Sequence, residues 1–269
     1  PGRAQQKRYG VALVTCPSQF RWTSSARSDV GRVREINEDA CLDQPEPGRW
    51  AVADGMGGHA VGDLASRLVI DALSRLAPPA AMKTGIADAR ARLQKTNRQL
   101  RDEAARRQVQ RIGSTVVVLL ACDRFCAYLW AGDSRLYLYR KGQLRQLTRD
   151  HSQVEELKSL GVITDEQARH HPAQHMITRA VGATDVLELD DDAIEVADGD
   201  VFLLCSDGLS NEVSDAEILA VLTSVACERA SDELVELALA HGGRDNVTAV
   251  VVQAEDPYAS DKTLLNPAP

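Results

Sequence analysis

Residues 114–147 carry "STVVVLLACD", "RFCAYLWAGDS" and "RLYLYRKGQLRQL" back to back. Three β-rich runs with no room for a helix between them exclude a regular strand–helix–strand alternation and call for antiparallel neighbours. The third run alternates apolar and polar residues around Lys141-Gly142, a hairpin signature. "RWAVAD" (49–54), "DVFLLCSD" (200–207) and "NVTAVVVQAE" (246–255) share the β texture. Helical spacing is found at 62–76, where Leu64, Leu68, Ile70, Leu73 and Leu76 recur, and again at 86–109, 152–160, 215–226 and 232–241. Grouped strands with pairs of helices between them predict an α+β fold of antiparallel sheets covered by helices.

The expected organisation is a leader over residues 1–22, one domain over 23–255 and a tail over 256–269. The only sizeable internal loop is expected near 77–85. With 269 residues, 44% of them hydrophobic, the chain can build a large core. A net charge of −8 and 4% aromatic residues argue against nucleic-acid recognition. The six cysteines form no CxxC pair, so zinc is not expected and most are read as reduced, partly buried hydrophobes. No apolar run approaches a membrane span, and the expectation is a cytoplasmic monomer without a membrane partner.

Acidic residues terminate the apolar runs. Asp54 ends "WAVAD", Asp133 ends "YLWAGD", Asp207 ends "FLLCSD", Asp245 precedes the last run, and Glu38-Asp39 lie in "REINEDA". One strand-end aspartate is ordinarily a turn residue. Asp43 and Asp63 are read that way, and Asp190, Asp191 and Asp192 as a solvated acidic loop. Four such ends plus Glu38-Asp39 point instead to carboxylates gathered by one sheet edge around hard divalent cations, which take oxygen ligands. Gly55 and Gly208 fit that reading, because glycine lets backbone approach an ion and offer its carbonyl.

"RSDVGRVREINEDA", "VADGMGGHAVGDLAS", "GSTVVVLL", "WAGDSRLYLYRKGQLRQLT", "LLCSDGLSNEVSD" and "GGRDNVTAVVV" occur in this order. By them the chain, from about Ser24 to about Gln253, resembles the metal-dependent serine/threonine protein phosphatases of the PPM/PP2C family, its compact bacterial members most of all. The resemblance implies an αββα sandwich with two or three Mn²⁺ or Mg²⁺ ions at one edge. It makes Asp54 a ligand bridging two metals and Gly55 a ligand through its carbonyl. It gives Asp207 and Asp245 to one metal, Glu38 to the other through water, and Asp133 with Asp207 to a third. Asp39 would support this set through a water. Arg34 would grip the phosphate with its guanidinium fork, with Arg32 the weaker choice.

The chemistry implied is hydrolysis of phosphoserine and phosphothreonine on proteins. Two cations about 3.5–4 Å apart lower the pKa of a shared water, so Asp54 and Asp207 with Arg34 form the catalytic set and neither Cys41 nor Cys205 is a nucleophile. Met56 stands where some relatives place a histidine general acid, and His59 is the alternative donor. Residues 150–179 match the flap beside the family's cleft. There His170, His171 and His175 mimic a metal cluster, but Pro172 interrupts the helical spacing such ligands need. "GSTVVVLL" is read as packing beneath the site. "ADGMG" lacks the second aspartate of a haloacid-dehalogenase nucleophile. A non-catalytic binding module is disfavoured because every matched ligand is present. The implied partners are phosphorylated proteins, among them a serine/threonine kinase. Residues 21–66 further resemble phosphatases linked to bacterial type VI secretion.

Overall fold

The computed structural model describes residues 18–57, 61–169, 171–173 and 176–259. His59, His170 and His175 lie outside them, as do most of the leader and the end of the tail. Strands β1 (Arg21–Asp29), β2 (Asp39–Gln44) and β3 (Arg49–Met56) lead into helices α1 (Gly62–Ser74) and α2 (Met82–Arg107). Next come β4 (Gly113–Ser114), β5 (Val116–Cys122), β6 (Phe125–Ala131), β7 (Arg135–Arg140) and β8 (Gln143–Gln146). Short helices α3 (Gln153–Ser159) and α4 (Asp165–Arg169) precede β9 (Asp190–Glu195) and β10 (Val201–Cys205). A single turn α5 (Asp207–Ser210), helices α6 (Asp215–Ser224) and α7 (Cys227–Ala240), and strand β11 (Val247–Glu255) are the last described elements.

The strands form two sheets, ordered β1-β11-β10-β7-β8 and β2-β3-β5-β6-β9, with β4 on the end of β3. Every strand pairing is antiparallel. The two-residue periodicity of the strands sorts their side chains into layers. Trp50, Val52, Val117 and Leu119 meet Leu136, Leu138, Phe202, Leu204, Val250 and Val252 between the sheets. Ala51, Ala53, Val116 and Val118 face outward onto α1 and α2. Leu203, Ala249 and Val251 do the same toward α6 and α7. Both faces of the central strands are therefore covered, which is why they read as unbroken apolar runs rather than as alternation. The result is the expected αββα sandwich. The hairpin at Lys141-Gly142 is also present, both residues at positive φ (50° and 81°), as a two-residue turn between twisted strands requires.

Several boundaries differ from the sequence reading. The leader's last residues belong to the sandwich: Phe20 is buried in the inter-sheet layer, Trp22 packs against Trp50 as a tilted pair with ring centroids 5.2 Å apart, and β1 starts at Arg21. Asp256 is likewise buried. Helix α2 begins at Met82, inside the expected loop, because the Thr84 hydroxyl accepts the Ala81 N–H (3.1 Å) and caps the turn. Asp190–Asp192 form the edge strand β9 rather than a loop; Asp192 accepts the Tyr128 hydroxyl (3.1 Å) and Arg90 pairs with Asp191. Cys41, Cys126, Cys205 and Cys227 are free, as expected; Cys122 is disulfide-bonded. Among the described residues no helix is long and apolar enough to cross a membrane.

Candidate metal centre

The strand ends converge at one edge. Asp39 opens β2 directly opposite Asp54 in β3, so the two carboxylates share a face. Asp133 follows β6. Asp207 opens α5 two residues after β10, and Asp245 stands two residues before β11, the neighbour of β10. The loop between β1 and β2 adds Arg34 and Glu38. A cavity of about 370 Å³ is lined by Arg34, Glu38, Asp54, Gly55, Asp133, Asp207 and Asp245, together with Met56, Gly57, Thr115, Ile177 and Asn246. Asp39 lies beneath this lining. Thus the six acidic residues, Gly55 and Arg34 singled out from sequence meet at one place. A cleft of about 1320 Å³ shares Arg34, Asp133, Asp207 and Asp245 and continues between α3–α4 and α5.

Hydroxyls and one amide position these groups; of them only Thr115 is legible in the sequence, and there as packing beneath the site. Asp39 Oδ2 accepts from the Ser206 and Thr248 hydroxyls (2.7 Å each). Asp54 N–H donates to Thr115 Oγ1 (3.0 Å), and Thr115 N–H returns to Asp54 O (2.8 Å). Thr115 Oγ1 also meets Ser134 Oγ (2.7 Å), next to Asp133, so "GST" does more than pack. Asn246 Oδ1 accepts Glu38 N–H (2.8 Å), while its Nδ2 donates to Val30 O and Ile36 O (2.9 and 3.0 Å). The available signal was an amide directly after Asp245 at a strand start, where a buried Asn must satisfy both ends of its side chain.

The glycines have a second reason beyond closeness to an ion. A Cβ on Gly55 would fall 2.0 Å from Gly62 O, and one on Gly208 would fall 2.0 Å from Asn246 O. Both positions are sites where two backbones touch.

The electrostatics fit a cation. Burial pushes Asp39 up to about 7; the Thr248 and Ser206 hydroxyls oppose this, and Asp207 and Asp245 reinforce it. Burial, then Asp207 and Asp150, push Asp133 up to about 7. Asp54 is raised well above the usual carboxylate range by burial and by Asp39, Asp207, Asp133 and Asp245. Buried carboxylates that repel one another are costly unless positive charge sits between them. Asp39 Oδ1 is buried without a hydrogen-bond partner, an acceptor left for a further donor such as water. The donors are all oxygen, the chemistry of Mg²⁺ and Mn²⁺ rather than zinc. Among the described residues no three acidic, His or Cys side chains close into a ready-made cage. Arg34 reaches into the site from its rim, half exposed, with one nitrogen 2.8 Å from Asp245 Oδ2. Met56 lines the cavity. His171 is engaged locally, its Nδ1 accepting the Ala173 N–H (3.1 Å).

The protein phosphatase 2C family profile matches residues 31–241. The chain therefore belongs to that family. It is 39% identical over 243 residues to the serine/threonine protein phosphatase PstP of Mycobacterium tuberculosis, covering 90% of this chain and 47% of that protein. The chain thus spans about half the length of this curated relative. Among solved structures, PppA, described as a key regulatory component of T6SS in Pseudomonas aeruginosa, superposes with a TM-score of 0.81 at 45% identity, covering 87% of this chain and 97% of that one. The catalytic domain of PstP in complex with two manganese ions superposes with a TM-score of 0.80 at 37% identity, covering 88% of this chain and all of that one.

Proposed function

We propose that the chain is a metal-dependent phosphatase of phosphoserine and phosphothreonine in proteins. The observation that carries the reading is the convergence of Glu38, Asp54, Gly55, Asp133, Asp207 and Asp245 with Arg34 on one cavity at the sandwich edge. Asp54 and Gly55 would hold two Mn²⁺ or Mg²⁺ ions, Asp207 and Asp245 one of them, Glu38 the other, and Asp133 with Asp207 a third. When bound, the ions supply positive charge for the phosphoryl oxygens and lower the pKa of water to make a nucleophile near neutral pH.

The chain's residues do the rest. Arg34, on the rim, orients the phosphoryl group by donating to two of its oxygens, and its partner Asp245 would be among the residues that hold the cations. Thr115 fixes the Asp54 backbone from both sides. Asp39, held by Ser206 and Thr248, keeps Oδ1 free to accept a hydrogen bond from water. The cleft beside α3 and α4 takes the protein substrate.

The folded unit proposed is one phosphatase domain reaching at least to Asp256, its start moved ahead of residue 23 by Phe20 and β1. It acts as a cytoplasmic monomer and opposes a serine/threonine kinase. The likeness to PppA supports placing it beside a T6SS. Hydrolysis of a phosphothreonine peptide by the purified chain, with Mn²⁺ and then with EDTA, beside Asp207→Asn, tests the reading. Activity that needs metal and vanishes in the variant supports it; no turnover with any divalent ion from folded protein sinks it.

A further inference from the structure

A buried imidazole braces the rim of the carboxylate cluster. His151 is 8% exposed, and its ring stacks on Trp130, with centroids 5.9 Å apart and planes 7° from parallel. Its Nδ1 accepts the Gly132 N–H (3.2 Å), and its Nε2 lies 3.1 Å from Asp190 Oδ2. A backbone N–H can only donate, so Nδ1 is the bare nitrogen and the ring proton sits on Nε2, donating to Asp190. The other oxygen of Asp190 takes Arg179 Nη1 (2.8 Å); the same nitrogen lies 3.3 Å from His151 Nε2, to which it cannot donate while Nε2 carries the proton.

The His151 backbone closes the arrangement. Its N–H donates to Gly132 O (2.9 Å), and its carbonyl accepts the Thr178 N–H (2.8 Å). Both polar groups of Gly132 are therefore held by His151. Gly132 has φ +113°, and a Cβ there would fall 2.7 Å from Thr115 Cβ. The residue before Asp133 is thus one whose own backbone restricts it least, and its orientation must come from a partner.

We infer that His151 is a positioning residue for Asp133: by holding both ends of Gly132 it aims the Asp133 carboxylate, and it fastens the 150–179 segment to the same loop. The inference rests on the proposed reading of Asp133 as a cation ligand. Groups that orient a ligand without touching the metal commonly change metal affinity about 10–100-fold when altered.

The two ring nitrogens can be tested separately by titrating the full chain with Mn²⁺ in a calorimeter. His151→Asn keeps an acceptor near the Nδ1 position and loses the reach to Asp190. His151→Gln keeps that reach and loses the acceptor for Gly132 N–H. Asp133→Asn should remove one binding step, His151→Gln should weaken that step about 10-fold or more, and His151→Asn should stay within about threefold of the parent. Asp190→Ala, on an exposed edge strand, frees the Nε2 proton without touching the core and should weaken the same step by a smaller factor. Melting curves in EDTA confirm that each variant is folded. An isotherm unchanged in both His151→Gln and Asp190→Ala overturns the inference, as does an equal loss in His151→Asn and His151→Gln. If the parent shows no step that Asp133→Asn removes, the cation reading of Asp133 fails and this inference falls with it.

Discussion

Replacing Asp39 by Asn should stabilise the metal-free protein. Asp39 is buried opposite Asp54, and its folded-state pKa stands at about 7 against an ordinary value of 3.8. A carboxyl raised in this way favours folding fully below its unfolded pKa and loses that contribution as pH rises through the folded value. Between pH 5 and pH 8 the wild type should therefore lose about 3 kcal/mol, and at pH 8 the whole shift of about 3 units amounts to about 4 kcal/mol. Asparagine removes the charge, and its Oδ1 can still accept from Ser206 and Thr248. Its amide then occupies the place of the unpartnered Oδ1, which costs about 1 kcal/mol. A net gain of about 3 kcal/mol corresponds to about 6–12 °C for a domain of this size. The assay is a thermal melt in EDTA at pH 5 and pH 8 for both proteins. His151, whose pKa is lowered mainly by burial, gains stability as pH rises, but it is common to both chains and cancels in their difference. Saturating Mn²⁺ should narrow or reverse the gap, because binding stabilises the wild type by about 2.7 kcal/mol at 100 times Kd. The reasoning is refuted if Asp39→Asn is no more stable at pH 8 in EDTA, or if its advantage is the same at pH 5.

Arg34→Ala should lower kcat/KM by about 30–150-fold, the loss of a charge-assisted pair of hydrogen bonds worth about 2–3 kcal/mol. Its melting temperature should move little, since the Arg34–Asp245 pair is largely exposed. Gly208→Ala should destabilise by about 3 kcal/mol or more in urea unfolding, because its methyl would meet Asn246 O at 2.0 Å. Asn246→Ala removes three hydrogen bonds to the loop carrying Arg34 and Glu38. It should cost about 3 kcal/mol and weaken Mn²⁺ binding by calorimetry, whereas a purely structural role would leave the isotherm intact.

The strands visible in the sequence as unbroken apolar runs are those buried on both faces. β5, β6, β10 and β11 carry almost no exposed residue, and a strand between two covered faces must be apolar throughout. β1 ("RWTSSARSD"), β2 ("DACLDQ") and β9 ("DDDAIE") lie at sheet edges and are exposed or half-buried along most of their length. Their sequences satisfy solvent on one side, and what makes them strands is the neighbour they pair with, which local pattern does not contain. The short helix start at Met82 escaped for a related reason: "APPAAMKTG" has loop composition, and a single Thr84 hydroxyl decides where the turn closes.

The site divides along the same line. Charged ends on apolar runs stand out, because nothing in a core demands an aspartate there. The residues that position them are Thr115, Ser134, Ser206, Thr248, Asn246 and His151, small or singly polar groups whose sequence context is ordinary. Several of their partners lie far away in the chain: 167 residues separate Ser206 from Asp39, and 208 separate Asn246 from Glu38. Sequence therefore reveals which groups carry the charge, while the fold alone reveals what holds them against their mutual repulsion. That division has an energetic basis. Buried carboxylates can be crowded only if the backbone beneath them cannot yield, and here it cannot, because Gly55 and Gly208 are wedged against the opposing chain and Thr115 clamps Asp54. The strain of the cluster is then relieved by binding a cation rather than by spreading apart, so the same rigidity that costs stability in the metal-free state becomes affinity in the loaded one.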